Sequence, residues 1–184
     1  ELERLRTDQK KYKIVFEQSS DAILIVDPET FQAIDFNEQA AAMLGYTPDE
    51  FRNLKVFDYE ALESPEEIRR NAERILKQGQ AEFETRMRTK DSRIRDIRVK
   101  IRVIEIGGKK VFHNIFKDIT DLKRNEAALR ESKDKLQIIF DNAPAIMLLV
   151  NEDSEILKIN ETGLIAAGRP MEETVELRNG DVMN

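Results

Sequence analysis

The stretch "FNEQAAAMLGYTPDEF", residues 36–51, decides the fold class that the sequence predicts. Asn37 ends an alternating run and precedes "EQAAAML", so its side-chain oxygen can cap a short helix. Gly45 suits the left-handed residue that ends such a helix. "TPDE", residues 47–50, then places a hydroxyl, a proline and a glutamate at the spacing of a capping box. The stretch therefore predicts the end of a strand followed by two short helices.

A short hairpin is predicted immediately upstream. "AILIVD", residues 22–27, is a buried-strand pattern that ends in a turn at Asp27 and Pro28. "FQAIDFN", residues 31–37, alternates in polarity and is its predicted partner. Downstream, "SPEE", residues 64–67, is a second capping box, and it begins an amphipathic helix that ends at Gly79.

Three more strands are predicted after this helix. "AEFETRMRTK", residues 81–90, and "DIRVKIRVIEI", residues 96–106, alternate between apolar and charged residues with a period of two. That pattern is typical of an antiparallel sheet with one dry and one solvated face. Turns are predicted at Asp91-Ser92 and Gly107-Gly108, and "KVFHNIF", residues 110–116, is the last strand.

Helices are predicted on both sides of this domain, which spans residues 16–120. Residues 1–15 carry a sparse apolar stripe that includes Leu5, with Tyr12 near its end. Residues 121–137 place Leu122, Leu129 and Leu136 at seven-residue spacing, which favours a weak coiled-coil connector. The alternative is a surface helix that lies on its own domain.

The sequence also contains an internal repeat. "KIVFEQSSDAILIVD" and the residues that follow it align with "QIIFDNAPAIMLLVN", so that Asn37 corresponds to Asn160 and Gly45 to Gly168. Repeats of domain length separated by a charged helix are typical of tandem modules. We expect residues 138–184 to be the start of a second, truncated unit that further sequence in a longer parent protein completes.

Composition excludes several classes of protein. The chain has no cysteine, which excludes disulfides, thiolate nucleophiles and cysteine-linked flavins or chromophores. Its apolar runs are much shorter than the roughly 20 residues of a membrane-spanning helix. We therefore expect a cytoplasmic segment without membrane contact, although the chain opens on Glu1 and its parent protein can itself be membrane-anchored.

Four motifs together resemble the PAS sensor-domain family: "FEQSSDAILIVD", "FNEQAAAMLGYTPDEF", "RMRTKDS" and "KDITDLK". They cover residues 13–123, and the repeat from residue 137 resembles the start of a second PAS unit. One departure is Ser92, where the family often has glycine in the turn. The resemblance implies an α+β fold, in which a five-stranded antiparallel sheet of order 2-1-5-4-3 has short helices on one face. It also implies a ligand cavity and a last strand that passes a signal to the following helix, often across a dimer.

The apolar faces of these elements predict a small-molecule pocket, for which the alternative is a plain packed core. Asn114 and Thr85 are the candidate polar contacts. The full set of pocket candidates is Ile25, Phe36, Met43, Ile75, Leu76, Phe83, Thr85, Met87, Val99, Ile101 and Asn114.

The single histidine, His113, is the only residue that suggests a haem or a metal. It lies in a strand without companion ligands, whereas family haem sensors usually take their ligand from the helix over the pocket, which has no histidine here. We expect no haem at His113, no metal site and no other firmly predicted cofactor.

A run of basic residues in the sheet raises nucleic-acid binding as an alternative. The run contains Arg86, Arg88, Arg93, Arg95, Arg98, Lys100 and Arg102. Glutamates are interleaved with these residues, stacking aromatics are missing and the net charge is −6, so we expect a solvated face rather than a nucleic-acid interface.

Asp118, Ile119 and Thr120 stand where the last strand becomes a helix, and they are the predicted signal relay. Asp and Thr side chains favour such junctions because they bond to nearby backbone N–H groups. The sequence lacks a nucleophile–base pair and a phosphate loop, which argues against an enzyme. We expect a sensory input module that is homodimeric through its flanking helices and binds an unknown small molecule. By family analogy, its downstream effector is a histidine kinase or a nucleotide cyclase in the same polypeptide. The alternative is a ligand-free dimerisation or interaction scaffold.

Overall fold

The structure is a computed structural model that describes residues 11, 13–168 and 177–178 of the chain. The chain forms two compact units, Glu1–Lys123 and Arg124–Asn184. Of the predicted N-terminal helix, residues 13–15 belong to a helical segment that runs over residues 13–17. Leu5 and Tyr12 lie outside the described residues.

A five-stranded antiparallel sheet forms the first unit. Its strands are β1 (Ala22–Val26), β2 (Ala33–Phe36), β3 (Gln80–Arg88), β4 (Ile94–Ile106) and β5 (Lys109–Asp118). Their order in the sheet is β2-β1-β5-β4-β3, with every neighbouring pair antiparallel. The α+β fold and the predicted strand order are confirmed.

Short helices connect β2 to β3, and a long helix follows β5. The short helices are α1 (Glu38–Leu44), α2 (Pro48–Phe51), α3 (Val56–Tyr59) and α4 (Pro65–Gln78), and the long helix is α5 (Thr120–Asp141). Buried residues of α1 to α4 share one apolar core with the inward side chains of the sheet. Phe51, Leu44 and Ile97 are among the residues of this core that are completely enclosed.

Side-chain alternation in the strands gives the sheet its dry inner face. Ile97, Val99 and Ile101 are buried, whereas Lys100 and Arg102 between and beside them are exposed. Successive side chains of a strand point to opposite faces, so a period of two in polarity becomes a sheet with one packed side. The dry and wet faces predicted for β4 are therefore confirmed.

The caps predicted from the sequence are present. Asn37 accepts a hydrogen bond from the backbone N–H of Ala40 at the start of α1, and Gly45 ends that helix with φ of 78°. Thr47 and Ser64 each form a complete capping box at the start of α2 and α4. These side chains satisfy N–H groups that have no partner inside the helix.

One helix, α3, was not expected from the sequence. It begins after Lys55, whose backbone N–H donates to the Asp58 carboxylate at 2.6 Å. Lys55 supplies no side-chain cap of its own, and no proline stands at the first helical position. The usual signals of a helix start are therefore missing.

The second unit repeats the beginning of the first on a smaller scale. It contains β6 (Leu148–Val150), β7 (Glu155–Ile159), α6 (Glu161–Ala166) and β8 (Leu177–Arg178). The strands form an antiparallel sheet of order β6-β7-β8. Asn160 stands between β7 and α6, as Asn37 stands between β2 and α1.

These two asparagines make equivalent hydrogen bonds. Asn37 Oδ1 accepts from the N–H groups of Ile23 at 2.9 Å and Ala40 at 3.1 Å. Asn160 Oδ1 accepts from those of Met147 and Gly163 at the same two distances. Each asparagine is fully buried and also donates through Nδ2 to two backbone carbonyls upstream of its unit's first strand. Each side chain thus ties the start of a helix to the first strand of its own unit.

Backbone pairing repeats as well. Gln32 pairs with Lys55 in an antiparallel bridge of the first unit, and Glu155 pairs with Arg178 in the second. Residue 155 lies 123 positions after residue 32, and residue 178 lies 123 positions after residue 55. Equivalent residues of the two units therefore keep the same offset in the sequence from the first hairpin of each unit as far as β8.

Candidate functional site

A cavity of about 70 Å³ lies in the first unit, between the inner face of the sheet and α4. Most of its wall is apolar, and the polar side chains that reach it are two glutamates and two asparagines. The lining residues are Val26, Phe31, Val56, Glu60, Glu63, Ile68, Asn71, Ala72, Ile75, Phe83, Met87, Val99, Ile101, Phe112, Asn114 and Phe116. An apolar wall with a few convergent polar groups is the usual composition of a small-molecule site.

The structure places some of the predicted pocket residues at this cavity and the others elsewhere. Those that line it are Ile75, Phe83, Met87, Val99, Ile101 and Asn114. Those outside its wall are Ile25, Phe36, Met43, Leu76 and Thr85. Ile25 stands opposite His113 on the outer face of the sheet, and the Phe36 ring packs against Phe51 at 4.9 Å.

Thr85 contacts a cavity residue rather than the cavity itself. Its hydroxyl donates to Glu60 Oε1 at 2.6 Å. The same oxygen accepts from the backbone N–H groups of Ala61 and Leu62 at 3.0 and 2.9 Å. Three donors therefore hold one oxygen of the Glu60 carboxylate at the wall, while Oε2 accepts no hydrogen bond from the described residues.

Glu63 is the second carboxylate at the wall. Both of its oxygens accept from Asn71 Nδ2, at 2.9 Å each, which joins the segment before α4 to the helix itself. Asn71 lies three residues after Ile68 and four before Ile75, so it belongs to the face of α4 that meets the cavity. No cationic side chain of the described residues forms an ion pair with Glu60 or Glu63.

Asn114 brings a buried amide to the sheet side of the cavity. Only 4% of the residue is exposed. Its Nδ2 donates to the backbone carbonyl of Phe112 at 3.3 Å. Its Oδ1 accepts no hydrogen bond within the described part of the chain. No side-chain N or O atom of the described residues is both fully buried and without a partner, so this oxygen is accessible from the cavity.

Several cavity residues were missed from the sequence. Asn71 could have been found, since it is a polar residue on the apolar face of an otherwise regular amphipathic helix. Phe112 and Phe116 could have been found from their alternation with Asn114 in the last strand. Glu60 and Glu63 lie between two helices, where no periodicity indicates the direction of a side chain.

His113 lies on the face of β5 that points away from the cavity, because its neighbours Phe112 and Asn114 both line it. The imidazole is half-buried and stands opposite Arg102 in the sheet. Desolvation lowers the pKa of His113 below its usual value, and the positive charge of Arg102 lowers it further. Among the described residues, no group of three or more His, Asp or Glu side chains could hold a metal ion.

The junction between β5 and α5 is held by the Arg95 side chain and the Asp96 backbone of β4, together with side chains of the junction itself. Asp118 Oδ1 accepts from the backbone N–H of Thr120 at 2.9 Å, and its other oxygen pairs with Arg95. The Thr120 hydroxyl accepts from the backbone N–H of Asp96 at 2.9 Å, and the N–H of Ile119 donates to the carbonyl of Asp96 at 2.9 Å. The three predicted relay residues are therefore bound directly to β4.

A further contact extends from α5 to the outer strands. Lys123 Nζ lies 2.8 Å from Glu84 Oε2 on β3 and 3.4 Å from Asp96 Oδ1 on β4. Lys123 was not predicted as a junction residue. It lies four residues after Ile119, which is only 2% exposed, so α5 has a buried anchor just before its first residue and an ion-paired anchor in its first turn.

The leucines of α5 point into solvent in the single chain. Leu122, Leu129 and Leu136 are 48%, 58% and 63% exposed. Helix α5 has no buried residue over its length. Within the ranges that the structure describes, no helix is both long and apolar enough to cross a membrane.

Ion pairs across the sheet account for part of the basic run. Arg98 pairs with Glu84 at 2.9 Å and Lys100 with Glu82 at 3.4 Å, in both cases directly across from one another on β4 and β3. Arg86 pairs with Asp96 at 3.3 Å. These pairs alternate in charge on the outer face, as expected for a solvated sheet surface.

Comparison with known proteins gives a consistent result. The family profile described as "PAS domain" matches residues 20–121, which is more than half of the chain. The "Methyl sulfide methyltransferase-associated sensor" of Methanosarcina acetivorans is 27% identical over 135 residues. That match covers 73% of this chain and 14% of the relative, so this chain spans only a small part of the relative's length.

Solved structures have the same fold. The PAS domain of an HTR-like protein from Haloarcula marismortui superposes with a TM-score of 0.59 at 20% identity, covering 64% of this chain and 96% of that one. A PAS domain of a protein from Colwellia psychrerythraea gives 0.55 at 25% identity, covering 62% and 98%. A PAS domain from a two-component sensor histidine kinase gives 0.52 at 17% identity, covering 61% and 97%.

Proposed function

Since this chain belongs to the PAS domain family, we propose that it is a sensory input module that binds a small ligand in the cavity of its first unit. Binding of a ligand in the cavity changes the position or order of α5, and α5 transmits that change to the part of the polypeptide that follows it. The module acts through conformation and performs no chemical reaction of its own.

The position of β5 is the observation that carries this proposal. Phe112, Asn114 and Phe116 of β5 line the cavity. Two residues after Phe116, the same strand reaches Asp118, and α5 begins at Thr120. A ligand that displaces β5 therefore acts on the junction through a few bonds of the same backbone, and the contacts to β4 give that junction a defined resting position.

We further propose that the module works as a homodimer and controls an effector domain in the same polypeptide, either a histidine kinase or a nucleotide cyclase. The three exposed leucines of α5 support the dimer, since a seven-residue spacing gives two such helices a shared seam. The name of the archaeal relative, a sensor, supports the signalling role.

The second unit is, in this proposal, the beginning of a second PAS domain. The matching hydrogen bonds of Asn37 and Asn160 support it. So does the matching register of the two backbone pairs, Gln32 with Lys55 and Glu155 with Arg178. An unrelated hairpin would not be expected to contain a buried asparagine with the same four hydrogen bonds. Nor would it be expected to have backbone pairs at the same spacing in the sequence.

A cavity-filling variant tests the coupling without knowledge of the ligand. Ala72→Leu adds a larger side chain to the cavity wall and so imitates occupancy. Hydrogen–deuterium exchange of the amides in residues 120–126 should change severalfold relative to the wild type. Ala42→Leu places the same side chain at an exposed site of α1 and should leave these amides unchanged. Unaltered exchange in a folded Ala72→Leu protein would contradict the proposal.

The second candidate function is a ligand-free scaffold that holds two chains in register. The small cavity volume of about 70 Å³ favours it, because little space is left for a ligand. Native mass spectrometry of the purified chain separates the two functions. A co-purifying small molecule supports the sensor. A dimer that never carries one, together with an inert Ala72→Leu variant, supports the scaffold.

A further inference from the structure

Phe31 has a backbone conformation that its side chain does not favour. Among the described residues other than glycine, Phe31, Ser92 and Ser154 have a positive φ, and Phe31, at 59°, is the one with a large side chain. The left-handed region is unfavourable for any residue with a Cβ atom, and a bulky residue there is an outlier. Such outliers persist where the surroundings hold them in place, and they are concentrated at functional sites.

The turn between β1 and β2 requires this conformation but not the aromatic ring. The N–H of Asp27 donates to the carbonyl of Gln32 at 3.0 Å and closes the turn. An equivalent bond of the same length closes the turn between β6 and β7, where Ser154 has a φ of 65° at the position that matches Phe31. A small residue thus satisfies the same turn in the second unit, so the ring of Phe31 has another role.

The backbone of Phe31 is fixed on both sides. Its N–H donates to the carbonyl of Asp27 at 2.9 Å, and its carbonyl accepts from the N–H of Val56 at 3.0 Å. The next residue, Gln32, pairs with Lys55 in the antiparallel bridge. These bonds offset the unfavourable conformation and hold the ring of Phe31 at the wall of the cavity.

The Phe31 ring lies between the cavity and the surface. Its centroid is 4.7 Å from that of Phe57, which is half-buried and does not line the cavity. The guanidinium carbon of Arg69, an exposed residue, lies 5.1 Å from the Phe57 centroid. Three stacked groups therefore lead from the cavity to solvent, and Phe31 is the innermost of them.

From these observations we infer that Phe31 determines the size of the ligand that the cavity admits. With the ring in place, the cavity of about 70 Å³ has less than half of the roughly 150 Å³ of an apolar cavity that admits benzene. Without the ring, the cavity gains the space of a benzyl group and extends toward Phe57. This inference rests on the proposed ligand-binding function and adds that the ligand is smaller than benzene.

Isothermal titration calorimetry of the whole chain with benzene tests the size limit. Phe31→Gly and Phe31→Ala should each bind benzene at least tenfold more tightly than the wild type, because the space of the lost ring accommodates it. Phe57→Ala is the matched control, since it removes a ring of the same size one layer further out and keeps Phe31. It should bind benzene no more tightly than the wild type.

Urea unfolding of the same variants tests whether the backbone is unfavourable for phenylalanine. Phe31→Gly should have a higher urea midpoint than Phe31→Ala, because glycine adopts a positive φ freely. Phe112 lines the same cavity from β5 with an ordinary strand backbone. There the order should be reversed, with Phe112→Gly less stable than Phe112→Ala, because glycine weakens the interior of a strand.

Four results would overturn the inference. They are benzene binding in the wild type or in Phe57→Ala that equals binding in Phe31→Gly, the absence of binding in both folded Phe31 variants, a lower urea midpoint in Phe31→Gly than in Phe31→Ala, and failure of both Phe31 variants to fold. The last result would mean that the ring is retained for packing alone.

Amide exchange of residues 120–126 separates this inference from the proposed function. If benzene binds to Phe31→Gly and leaves this exchange unchanged, the size limit stands and the sensory function fails. If folded Phe31→Gly excludes benzene while Ala72→Leu still alters the exchange, the sensory function stands and the size limit fails.

Discussion

The ammonium group of Lys123, in the first turn of α5, lies 2.8 Å from the carboxylate of Glu84 on β3. Helix α5 follows β5 in the chain, but β3 is the strand at the far edge of the sheet. The ion pair therefore joins the start of α5 to β3, a strand that does not adjoin α5 in the sequence.

Loss of this tie should loosen the start of α5. In Lys123→Ala, the amides of residues 120–126 should exchange severalfold faster, because the helix keeps the buried Ile119 before its first turn but loses the ion pairs of that turn. Lys135→Ala is the matched control, since among the described residues the one ion pair of Lys135 is with Glu131, within α5. Equal acceleration in both variants would mean that the loosening reflects helix propensity rather than the contact with β3.

Asp118 should make the stability of the first unit sensitive to acid. Burial alone would raise the pKa of Asp118, but hydrogen bonds from Thr120 and the interaction with Arg95 outweigh it and hold the pKa below its usual value. The stabilisation is therefore complete above the unfolded-state pKa, about 3.9. It is lost as the pH falls through the lower pKa of the folded state.

We expect Asp118→Asn to be less stable than the wild type at pH 7 by about 1 kcal/mol. The difference should shrink as the pH falls below about 4, where the unfolded chain takes up a proton at Asp118, and through the lower pKa of the folded state. Urea unfolding midpoints measured from pH 7 to pH 3 check this. A difference that stays constant over this range would show that the charge of Asp118 contributes nothing.

Asn37 should be the most sensitive polar position of the first unit. Asn37→Ala removes the side-chain acceptor of the Ile23 N–H, one of the two acceptors of the Ala40 N–H, and the donor that bonds the carbonyls of Phe16 and Asp21. Since each unsatisfied buried group costs about 1–3 kcal/mol, the free energy of unfolding should fall by about 3 kcal/mol or more.

Asn37→Asp separates the two halves of that effect, because it keeps the accepting oxygen and loses the Nδ2 donor. It should also be strongly destabilising, since a buried carboxylate would face two carbonyl oxygens. Urea unfolding of both variants provides the measurement. A loss below about 1 kcal/mol in Asn37→Ala would mean that water replaces the side chain.

Ser92→Gly should stabilise the chain. Ser92 has a φ of 66° in the turn between β3 and β4, a left-handed conformation that is unfavourable for residues with a Cβ atom. Glycine adopts it freely, so we expect a gain of about 1 kcal/mol in unfolding free energy. Ser92→Ala is the control, because it removes the hydroxyl and keeps the unfavourable backbone. An unchanged or lower stability in Ser92→Gly would contradict this explanation.

Leu129→Glu should shift the chain from dimer to monomer in analytical ultracentrifugation. The substitution places a charge in the middle of the proposed leucine seam of α5, where two copies would face each other. Ala127→Glu introduces the same charge on the opposite side of the helix and should leave the dimer intact. If both variants dimerise like the wild type, the seam is not the interface.

Much of the fold could be predicted because its signals are local. Gly45, the two capping boxes and the helix cap of Asn37 involve neighbours a few residues away, so these roles are visible in the sequence itself. The alternation in β4 likewise depends only on the period of a strand. The strand order, in contrast, came from the family resemblance, since no local pattern specifies which strands become neighbours.

The cavity was harder to predict because it depends on contacts between residues distant in sequence. Thr85 and Glu60 are 25 positions apart, and their hydrogen bond decides that Glu60 rather than Thr85 reaches the cavity wall. Ile25 was assigned to the pocket from its buried, apolar character, yet its position in β1 turns it to the outer face. Hydrophobicity indicates burial but does not say on which side of a sheet a residue is buried.

The single strand that joins the cavity to α5 limits how this chain can change in length. Inserting one residue between Phe116 and Asp118 would reverse the facing of every residue on one side of the insertion, because side chains alternate along a strand. The carboxylate of Asp118 would then turn away from Arg95, and α5 would begin from the opposite face of the strand. Two inserted residues would restore the facing but lengthen the strand by about 7 Å. Variation in length is therefore expected in the turns of this domain rather than in the last residues of β5.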